Sequence, residues 1–332
     1  MKTPEKNAIV YDMARQYSIA KFGMPTVIPV SDPCVNYNFL LGNNHDSEPS
    51  LVLKVRDGTS TDFEREKFIL HIYKSMNINV PEEIHFDKTH NYWDTEAIVY
   101  RYVPNKKIDS ALYPQREMGK TLAHMHKAQG TGTGNIDPVL GIGKGKSWKE
   151  FLRNRALNGD RRPIVESYLG INIERFLEDL EEIQHTPRLL HLDYNPANVL
   201  IGTDQQLYVI DPVGVVGDRL LDVANSIINL SPNEREQFLM GYESDEQLET
   251  DDIIKLDIYE TIATLNKLGN VLSYKKELRL QSQNLEDKIV HWLDGKVESW
   301  IERERRYLKR LDELHPEIMS ERRTRRITSI SV

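Results

Sequence analysis

The sequence predicts an α+β fold in which a β-rich region precedes a mostly helical one. The β-type runs are concentrated before residue 103, at Thr26 to Val30, Val35 to Leu41, Leu51 to Val55, Glu83 to Phe86 and Glu96 to Val103. Apolar residues at helical spacing follow in most of the remaining chain. The 332 residues, of which 39% are hydrophobic, suffice for a substantial core in one large domain or two lobes.

Apolar spacing and helix-ending residues predict the helices in turn. Gly23 and Pro25 end a first helix that begins near Glu5. Further helices are predicted at about Ser60 to Leu70, Tyr113 to Gln129, Ile171 to Gln184, Val223 to Leu230, Leu248 to Leu268 and Asn284 to Leu314. Acidic residues are frequent at Glu174 to Glu182 and at Glu243 to Asp252. Such runs are usually solvated helix faces, and the alternative is that they attract a cationic ligand.

Composition limits the classes of function. A formal net charge of −8 argues against a nucleic-acid partner, which needs a basic face, and is compatible with a cationic small molecule. No apolar run approaches the ~20 residues that span a membrane, and the N-terminus has no signal-peptide core. We therefore expect a cytoplasmic protein without a membrane partner. Cys34 is the only cysteine, which excludes an intrachain disulfide and a cysteine metal cluster.

Three polar residues are placed to meet at one point. Asp193 and Asn198 lie in a short polar loop, and Asp211 ends the second of two β-type runs joined by a turn at Gln205-Gln206. Folded as a loop and a hairpin, this stretch brings the three side chains together. Phosphoryl transfer needs such a set, because one carboxylate orients a hydroxyl and takes its proton while an amide and a second carboxylate hold Mg²⁺ against the phosphates.

The order and spacing of these residues resemble a known family. His191, Asp193 and Asn198, with Asp211 thirteen residues later, have the spacing of the catalytic and metal loops of kinases. Together with Gly217-Asp218-Arg219-Leu220-Leu221-Asp222-Val223-Ala224 they resemble the aminoglycoside phosphotransferase family of small-molecule kinases. The run from Asp211 to Arg219 looks most like the streptomycin and hydroxyurea kinase branch. Leu192 is a mild departure, since the family most often has glycine there.

The resemblance implies the bilobal protein-kinase-like fold. We expect a small nucleotide-binding lobe at residues 1–103, with a five-stranded antiparallel sheet and a helix, and a large, mostly helical catalytic and substrate-binding lobe at residues 104–332. It also implies ATP or GTP with Mg²⁺ in the cleft, Asp193 as the catalytic residue, and Asn198 and Asp211 as metal ligands. In the family fold, Asp222 at a helix start receives backbone N–H groups from the catalytic loop and stiffens it.

Lys54 is a second candidate for phosphate binding. A lysine within a half-buried strand needs a partner for its charge. Kinases pair such a lysine with a glutamate of the next helix, so that the lysine holds the α- and β-phosphates. The family pattern assigns this glutamate to Glu66, with Glu64 as the alternative. Without the resemblance, a solvated lysine and an ordinary helix-face glutamate are the simpler interpretation.

The resemblance assigns further nucleotide contacts to loop and main-chain groups. Ser31 and Asn36 bound a strand-turn-strand segment that we expect to cover the triphosphate, although it lacks the glycines of the protein-kinase loop. The backbone around Arg101 and Tyr102, where the fifth strand meets the hinge, is expected to bond the adenine edge.

Two other patterns are interpreted as structural. Gly141 to Ser147 looks like a phosphate loop, but Leu140 stands where its first glycine is needed and no β-run leads into it. We interpret it as an exposed flexible loop that caps the helix starting at Trp148. His124 and His126 stand two residues apart on a helix and face different directions, so they predict no metal pair.

The acceptor is the open question. The resemblance implies a small hydroxylated molecule bound by a monomer or homodimer, with an aminoglycoside antibiotic first. The same fold serves choline, homoserine, sugar and macrolide acceptors, because a fold does not determine a substrate. The alternatives are a kinase for another metabolite or a protein, and a nucleotide-binding regulator without catalysis. The regulator is disfavoured because the chain keeps the four residues that degenerate kinases usually lose in part, namely Lys54, Asp193, Asn198 and Asp211.

Overall fold

The chain folds as an antiparallel sheet joined to a larger helical region. The structure, a computed structural model, describes residues 4–30, 36–43, 48–57, 62–105, 114–156, 161–170, 172–176, 186–282, 302 and 304–320. All structural statements below concern these residues.

Five strands form the N-terminal sheet, and every neighbouring pair in it is antiparallel. The strands are β1 (Thr26–Pro29), β2 (Tyr37–Gly42), β3 (Leu51–Val55), β4 (Glu83–Asp87) and β5 (Ala97–Arg101). Their spatial order is β1-β2-β3-β5-β4. The predicted five-stranded antiparallel sheet is thereby confirmed, and its central strand β3 carries Lys54.

Two helices lie next to the sheet in sequence, and their buried side chains pack in two different hydrophobic clusters. Helix α1 (Pro4–Phe22) packs on β1 and β2, where Tyr17 and Trp93 join the apolar side chains of the sheet in one cluster. Helix α2 (Phe63–Ser75) begins at Asp62, whose carboxylate accepts the Arg65 N–H at 3.0 Å. Its buried residues, among them Ile69 and Tyr73, belong to the cluster that fills the helical region. Helix α2 therefore connects the sheet to the rest of the molecule.

Helices dominate the C-terminal region. They are α3 (Gln115–Met125), α4 (Trp148–Ala156), α5 (Arg161–Leu169), α6 (Arg219–Ile227), α7 (Pro232–Glu243) and α8 (Thr250–Ser282), and residues 304–314 and 316–320 are helical as well. Helix α8 packs against α4, α5 and α6, and α3 packs against α7. Glycines at 119 and 241 permit this last contact, because a Cβ on either would collide with the backbone of the facing helix. Of these helices and α1 and α2, none is both long and apolar enough to cross a membrane.

Short strands flank the loop that contains Asp193. The strands β6 (Gly132–Asn135), β7 (Gly143–Lys144), β8 (Arg188–Leu190) and β11 (Val215–Gly217) form a sheet in the order β7-β6-β11-β8. The strands β9 (Val199–Ile201) and β10 (Leu207–Val209) form an antiparallel hairpin, as predicted, with Gln205 at φ 66° in the turn. The loop between β8 and β9 contains Asp193.

The structure corrects two local predictions. A strand, β6, does lead into the glycine-rich segment, and β7 within that segment pairs with it, so the segment is not a wholly flexible loop. The sequence of β6 is Gly-Thr-Gly-Asn, and without apolar alternation it carries no strand signal. The apolar helix begins earlier than predicted. Its N-cap is Asp218, which accepts the Leu220 N–H at 3.0 Å, and Asp222 lies one turn inside.

Two predicted helices fall partly outside the described residues. Of the acidic segment 171–184, the structure describes a single 3₁₀ turn, Ile173–Phe176. Of the segment 284–314, it describes residue 302 and the helix at 304–314.

Candidate active site

A buried lysine connects the sheet, helix α2 and the segment after the hairpin. Lys54 Nζ lies 2.7 and 2.8 Å from the carboxylate oxygens of Glu66 and 2.6 Å from Asp211 Oδ1. Lys54 and Glu66 are 5% and 2% exposed, whereas the Asp211 side chain is 42% exposed. The predicted pairing of Lys54 with Glu66 is therefore present. Glu64, the alternative, pairs with Lys88 instead.

The charges of Lys54, Glu66 and Asp211 offset one another through direct contacts rather than through hydration. Burial by itself lowers the pKa of Lys54, but Asp211 and Glu66 outweigh it and hold that pKa above the ordinary lysine value. Burial raises the pKa of Glu66, and Lys54 opposes this effect. The Tyr100 hydroxyl donates to Glu66 Oε1 at 2.9 Å, and burial followed by the charge of Glu66 raises the Tyr100 pKa, so the hydroxyl keeps its proton. The cluster therefore keeps a positive charge on Lys54.

The Asp193 carboxylate is held by amide and ammonium donors. Asn198 Nδ2 donates to Asp193 Oδ2 at 2.8 Å, and Asn195 Nδ2 donates to Oδ1 at 3.2 Å. Lys267 Nζ, on α8, lies 3.3 Å from the same Oδ1. The Asp193 side chain remains 40% exposed. Its carboxylate is thus oriented by the protein and still accessible to a second molecule.

His191 joins the catalytic loop to the end of the hairpin. Its Nδ1 accepts the Asp193 N–H at 3.3 Å, and its Nε2 lies 2.9 Å from the carbonyl oxygen of Ile210. Since Nδ1 is an acceptor, Nε2 is the nitrogen that carries hydrogen and donates. The Ile210 N–H in turn donates to the Asn198 carbonyl oxygen at 3.1 Å. These bonds bring Asp211, the next residue, to the side of the hairpin where Asn198 lies.

The Asp222 carboxylate binds two backbone N–H groups of the loop between β8 and β9, as the resemblance implied. This residue is fully buried, and its carboxylate accepts the backbone N–H of His191 at 2.6 Å and of Leu192 at 2.8 Å. Leu192 needs that support, because it has φ 62° and a side chain disfavours this left-handed region. The requirement explains why glycine is usual at this position in the family that the sequence resembles.

Comparison with known proteins identifies the family. The sequence matches, over residues 8–275, the family model described as fructosamine kinase. The chain belongs to the fructosamine kinase family. It is therefore an ATP-dependent small-molecule kinase. No curated protein matches the sequence significantly.

Solved structures have the same fold. A thermostable mutant of the aminoglycoside phosphotransferase APH(4)-Ia is 18% identical, covering 90% of this chain and 98% of that chain with a TM-score of 0.63. A putative fructosamine-3-kinase from Haemophilus somnus is 17% identical (91% and 99% covered, TM-score 0.58). Choline kinase LicA from Streptococcus pneumoniae is also 17% identical (92% and 99% covered, TM-score 0.59). At these identities the structures establish the fold and not the acceptor. The predicted protein-kinase-like fold is confirmed, while the streptomycin and hydroxyurea branch stays a prediction.

Main-chain hydrogen bonds limit the nucleotide contacts that were predicted at Arg101 and Tyr102 of this fructosamine kinase family member. The Arg101 N–H donates to the Glu82 carbonyl oxygen and the Tyr102 N–H to that of Ser50, so neither amide is free to donate to an adenine. The Arg101 side chain pairs with Glu82. Asn36 directly precedes β2, and Ser31 lies outside the described residues. An adenine contact at Arg101 or Tyr102 is therefore limited to carbonyl oxygens and stays a prediction.

Besides Asn195, further residues contact the site without having been predicted as part of it. They are Tyr100, which contacts Glu66, Lys267, which contacts Asp193, and Arg155 of α4, whose guanidinium donates to the Leu192 carbonyl oxygen at 3.4 Å. Lys267 had no clear signal in the sequence, because polar residues such as Glu260, Thr264 and Asn266 surround it on the same helix.

Several described carboxylates of the acidic runs considered for a cationic ligand are paired within the protein. Glu174 lies 2.6 Å from Arg162, Asp245 lies 3.1 Å from Lys127, and Asp252 lies 2.7 Å from Arg219. These carboxylates therefore support the interpretation of the runs as ordinary helix faces.

We expect Asp222→Asn to destabilise the protein and to slow catalysis. One amide oxygen cannot replace two carboxylate oxygens, so at least one of the two loop N–H groups would be buried without an acceptor, at about 1–3 kcal/mol. Urea unfolding should show the lower free energy, and kcat should fall while the affinity for ATP changes little. Asp251→Asn, on the exposed first turn of α8, is the matched control. A stable Asp222→Asn variant with normal kcat would contradict the supporting role.

Proposed function

We propose that this protein transfers the γ-phosphoryl group of ATP to a hydroxyl of an amine-bearing sugar, with a fructosamine-type acceptor first. The observation that supports the reaction is a chain of contacts: Asn198 donates to Asp193, and the Ile210 N–H donates to the Asn198 carbonyl oxygen. The next residue, Asp211, pairs with Lys54, which also pairs with Glu66. The family match supports the acceptor class.

Asp193 is the residue proposed to act on the acceptor. Its carboxylate is oriented by Asn198 and Asn195 and is exposed enough to accept a hydrogen bond from an acceptor hydroxyl. It takes the hydroxyl proton as the new O–P bond forms. Lys54 is proposed to hold the other phosphates, and Glu66 keeps it aimed into the cleft.

The oxygens of Asn198 and Asp211 fit Mg²⁺. Asn198 uses its amide nitrogen toward Asp193, which leaves its amide oxygen to face a cation, and Asp211 uses Oδ1 toward Lys54, which leaves Oδ2. Mg²⁺ prefers oxygen ligands and is commonly bound by one or two carboxylates together with substrate phosphates. This explains why no cluster of three or more acidic, histidine or cysteine ligands is needed, and none occurs among the described residues. When bound, the ion would offset negative charge on the phosphates.

The proposed acceptor class rests on a chemical property common to the molecules in the names of the matching family and of the similar structures. Fructosamine, aminoglycosides and choline are all hydroxylated amines, and they are named by the matching family and by structures with this fold. The first two are amine-bearing sugars. A fructosamine-type molecule is placed first because the family model, and not the fold alone, points to it.

An aminoglycoside is the second candidate. The fold is shared with a ternary complex of APH(4)-Ia with AMP-PNP and hygromycin B, which covers 87% of this chain at a TM-score of 0.57. An antibiotic-resistance role would follow from that acceptor. The internal pairing of Glu174, Asp245 and Asp252 weighs against it, because a polycation needs free carboxylates around its ammonium groups.

Asp193→Asn should slow phosphoryl transfer by ~10²-fold or more, since a positioned proton acceptor contributes about that factor. The asparagine still accepts from Asn198, so nucleotide affinity should be retained. Steady-state kinetics and calorimetry with ATP measure the two quantities. Near-wild-type kcat would contradict the assignment.

Asp211→Asn should abolish the tightening of ATP binding by Mg²⁺. The variant keeps an acceptor for Lys54 but loses the negative charge that a divalent ion needs. Calorimetric titrations with ATP, with and without Mg²⁺, test this. The matched control is Asp204→Asn, which removes one charge from the turn of the same hairpin. An equal Mg²⁺ effect in Asp211→Asn and the wild type would place the ligand elsewhere.

A panel of acceptors should rank fructosamine-type sugars first by kcat/KM, ahead of aminoglycosides, choline, ethanolamine and homoserine. ATP turnover measures the ranking directly. An aminoglycoside acceptor would be marked by a KM that rises steeply with salt and by raised tolerance of a sensitive bacterium. If only a non-amine metabolite stimulates turnover, the proposed acceptor class is wrong and the kinase activity stands.

A further inference from the structure

Lys267 reaches the catalytic loop from a distant part of the chain. It projects from α8, and its Nζ lies 3.3 Å from Asp193 Oδ1. Its side chain is 23% exposed and that of Asp193 is 40% exposed, so the pair lies at the edge of the open space in front of the carboxylate. Among the described residues, Lys267 forms an ion pair with no carboxylate other than Asp193.

The other polar side chains near Asp193 contact its carboxylate through neutral groups or contact other groups instead. Asn195 and Asn198 contribute neutral amides. Arg155, from α4, is directed to the Leu192 carbonyl oxygen. Lys54 is already balanced by Glu66 and Asp211. Burial lowers the pKa of Arg155 and the charge of Asp193 opposes this, so Arg155 is a second cation near that carboxylate. Among these residues, Lys267 is the cation whose ammonium group contacts the Asp193 carboxylate directly.

We propose that Lys267 is a catalytic residue that compensates charge during phosphoryl transfer. The role rests on Asp193 as the proton acceptor and does not depend on which acceptor is phosphorylated. In the resting enzyme the positive charge of Lys267 is balanced by the Asp193 carboxylate. It becomes available to the reacting phosphoryl group when that carboxylate is neutralised.

The bond changes show why the charge becomes available. The acceptor oxygen forms a bond to the γ-phosphorus, and the bond between this phosphorus and the bridging oxygen of ADP breaks, with its electrons leaving on ADP. The acceptor O–H bond breaks, and its proton moves to Asp193. Asp193 is then neutral, and Lys267 has lost its counter-ion. The charge that Asp193 gives up appears on the leaving oxygen of ADP, whereas the phosphoryl group keeps its own negative charges and moves onto the acceptor oxygen that Asp193 contacted. Lys267 can then interact with that phosphoryl group.

Lys267 therefore interacts more strongly with the transition state than with the bound substrates. An interaction with this property raises kcat, whereas one made equally in both states changes KM. Electrostatic groups aimed at developing charge commonly contribute about 10²–10³-fold, and a partly hydrated ammonium contributes less. We expect roughly a tenfold to hundredfold effect for Lys267.

The test is a kinetic comparison of Lys267→Met, which keeps the length of the side chain without its charge, with Lys267→Arg. Lys267→Met should lower kcat roughly tenfold to hundredfold, with the KM for acceptor and the Kd for ATP nearly unchanged. Lys267→Arg should recover most of the loss. The control is Lys255→Met on the same helix, which should behave as wild type. Thermal unfolding of each variant shows whether it is folded, and slow ATP hydrolysis with water as acceptor gives the readout if the true acceptor is missing from the panel.

A double-mutant cycle with Asp193→Asn separates this role from others. Since the amide introduced by Asp193→Asn cannot take a proton, the loss from Lys267→Met should shrink to less than about threefold in that background. An unchanged kcat in folded Lys267→Met, a change confined to the acceptor KM, or an equal loss in both backgrounds would overturn the proposal. A fully active Asp193→Asn variant would instead show that the proton acceptor itself was wrongly assigned.

Discussion

A single desolvated cation connects the N-terminal sheet, helix α2 and the segment after the hairpin. Lys54 lies on the central strand of the N-terminal sheet, Glu66 lies on α2, and Asp211 follows the hairpin, so one ammonium group links three separate stretches of chain. Removing one partner of such a buried pair typically costs about 3–5 kcal/mol, because the remaining charge is left without compensation. The position of α2 relative to the sheet and the loop is therefore constrained by electrostatics as well as by apolar packing.

The catalytic loop depends on a second, smaller constraint. Leu192 adopts a backbone conformation that costs an ordinary side chain about 1–2 kcal/mol. Asp222 accepts its N–H, and the fully buried leucine side chain contributes apolar burial that is worth about 1.5–3 kcal/mol. Glycine would remove the strain and lose the burial. The chain thus tolerates leucine because two favourable terms offset one unfavourable term.

The sequence was sufficient to predict those site residues that lie close together along the chain. Asp193, Asn198 and Asp211 belong to one loop and hairpin, and Lys54 pairs with Glu66 of the next helix, so both arrangements follow from short-range patterns. Lys267 could not be placed, because 74 residues separate it from Asp193 and its contact depends on how α8 crosses the loop. The strand β6 was missed because its glycines and polar residues carry no apolar alternation, and its pairing with β11 decides its structure. Long-range packing, rather than local propensity, accounts for what the sequence did not predict.

The doubly paired state of Lys54 has a consequence for how a nucleotide enters. The ammonium group already has two carboxylate neighbours, one of which, Asp211, is half exposed. In the proposed function, a phosphate that approaches Lys54 would take the place of Asp211, and a divalent ion accompanying the phosphates would give Asp211 a new positive neighbour. Entry of the nucleotide would then be an ion exchange, in which each charge changes partner. Such an exchange would favour binding of the metal and the triphosphate together over a phosphate compound without its cation.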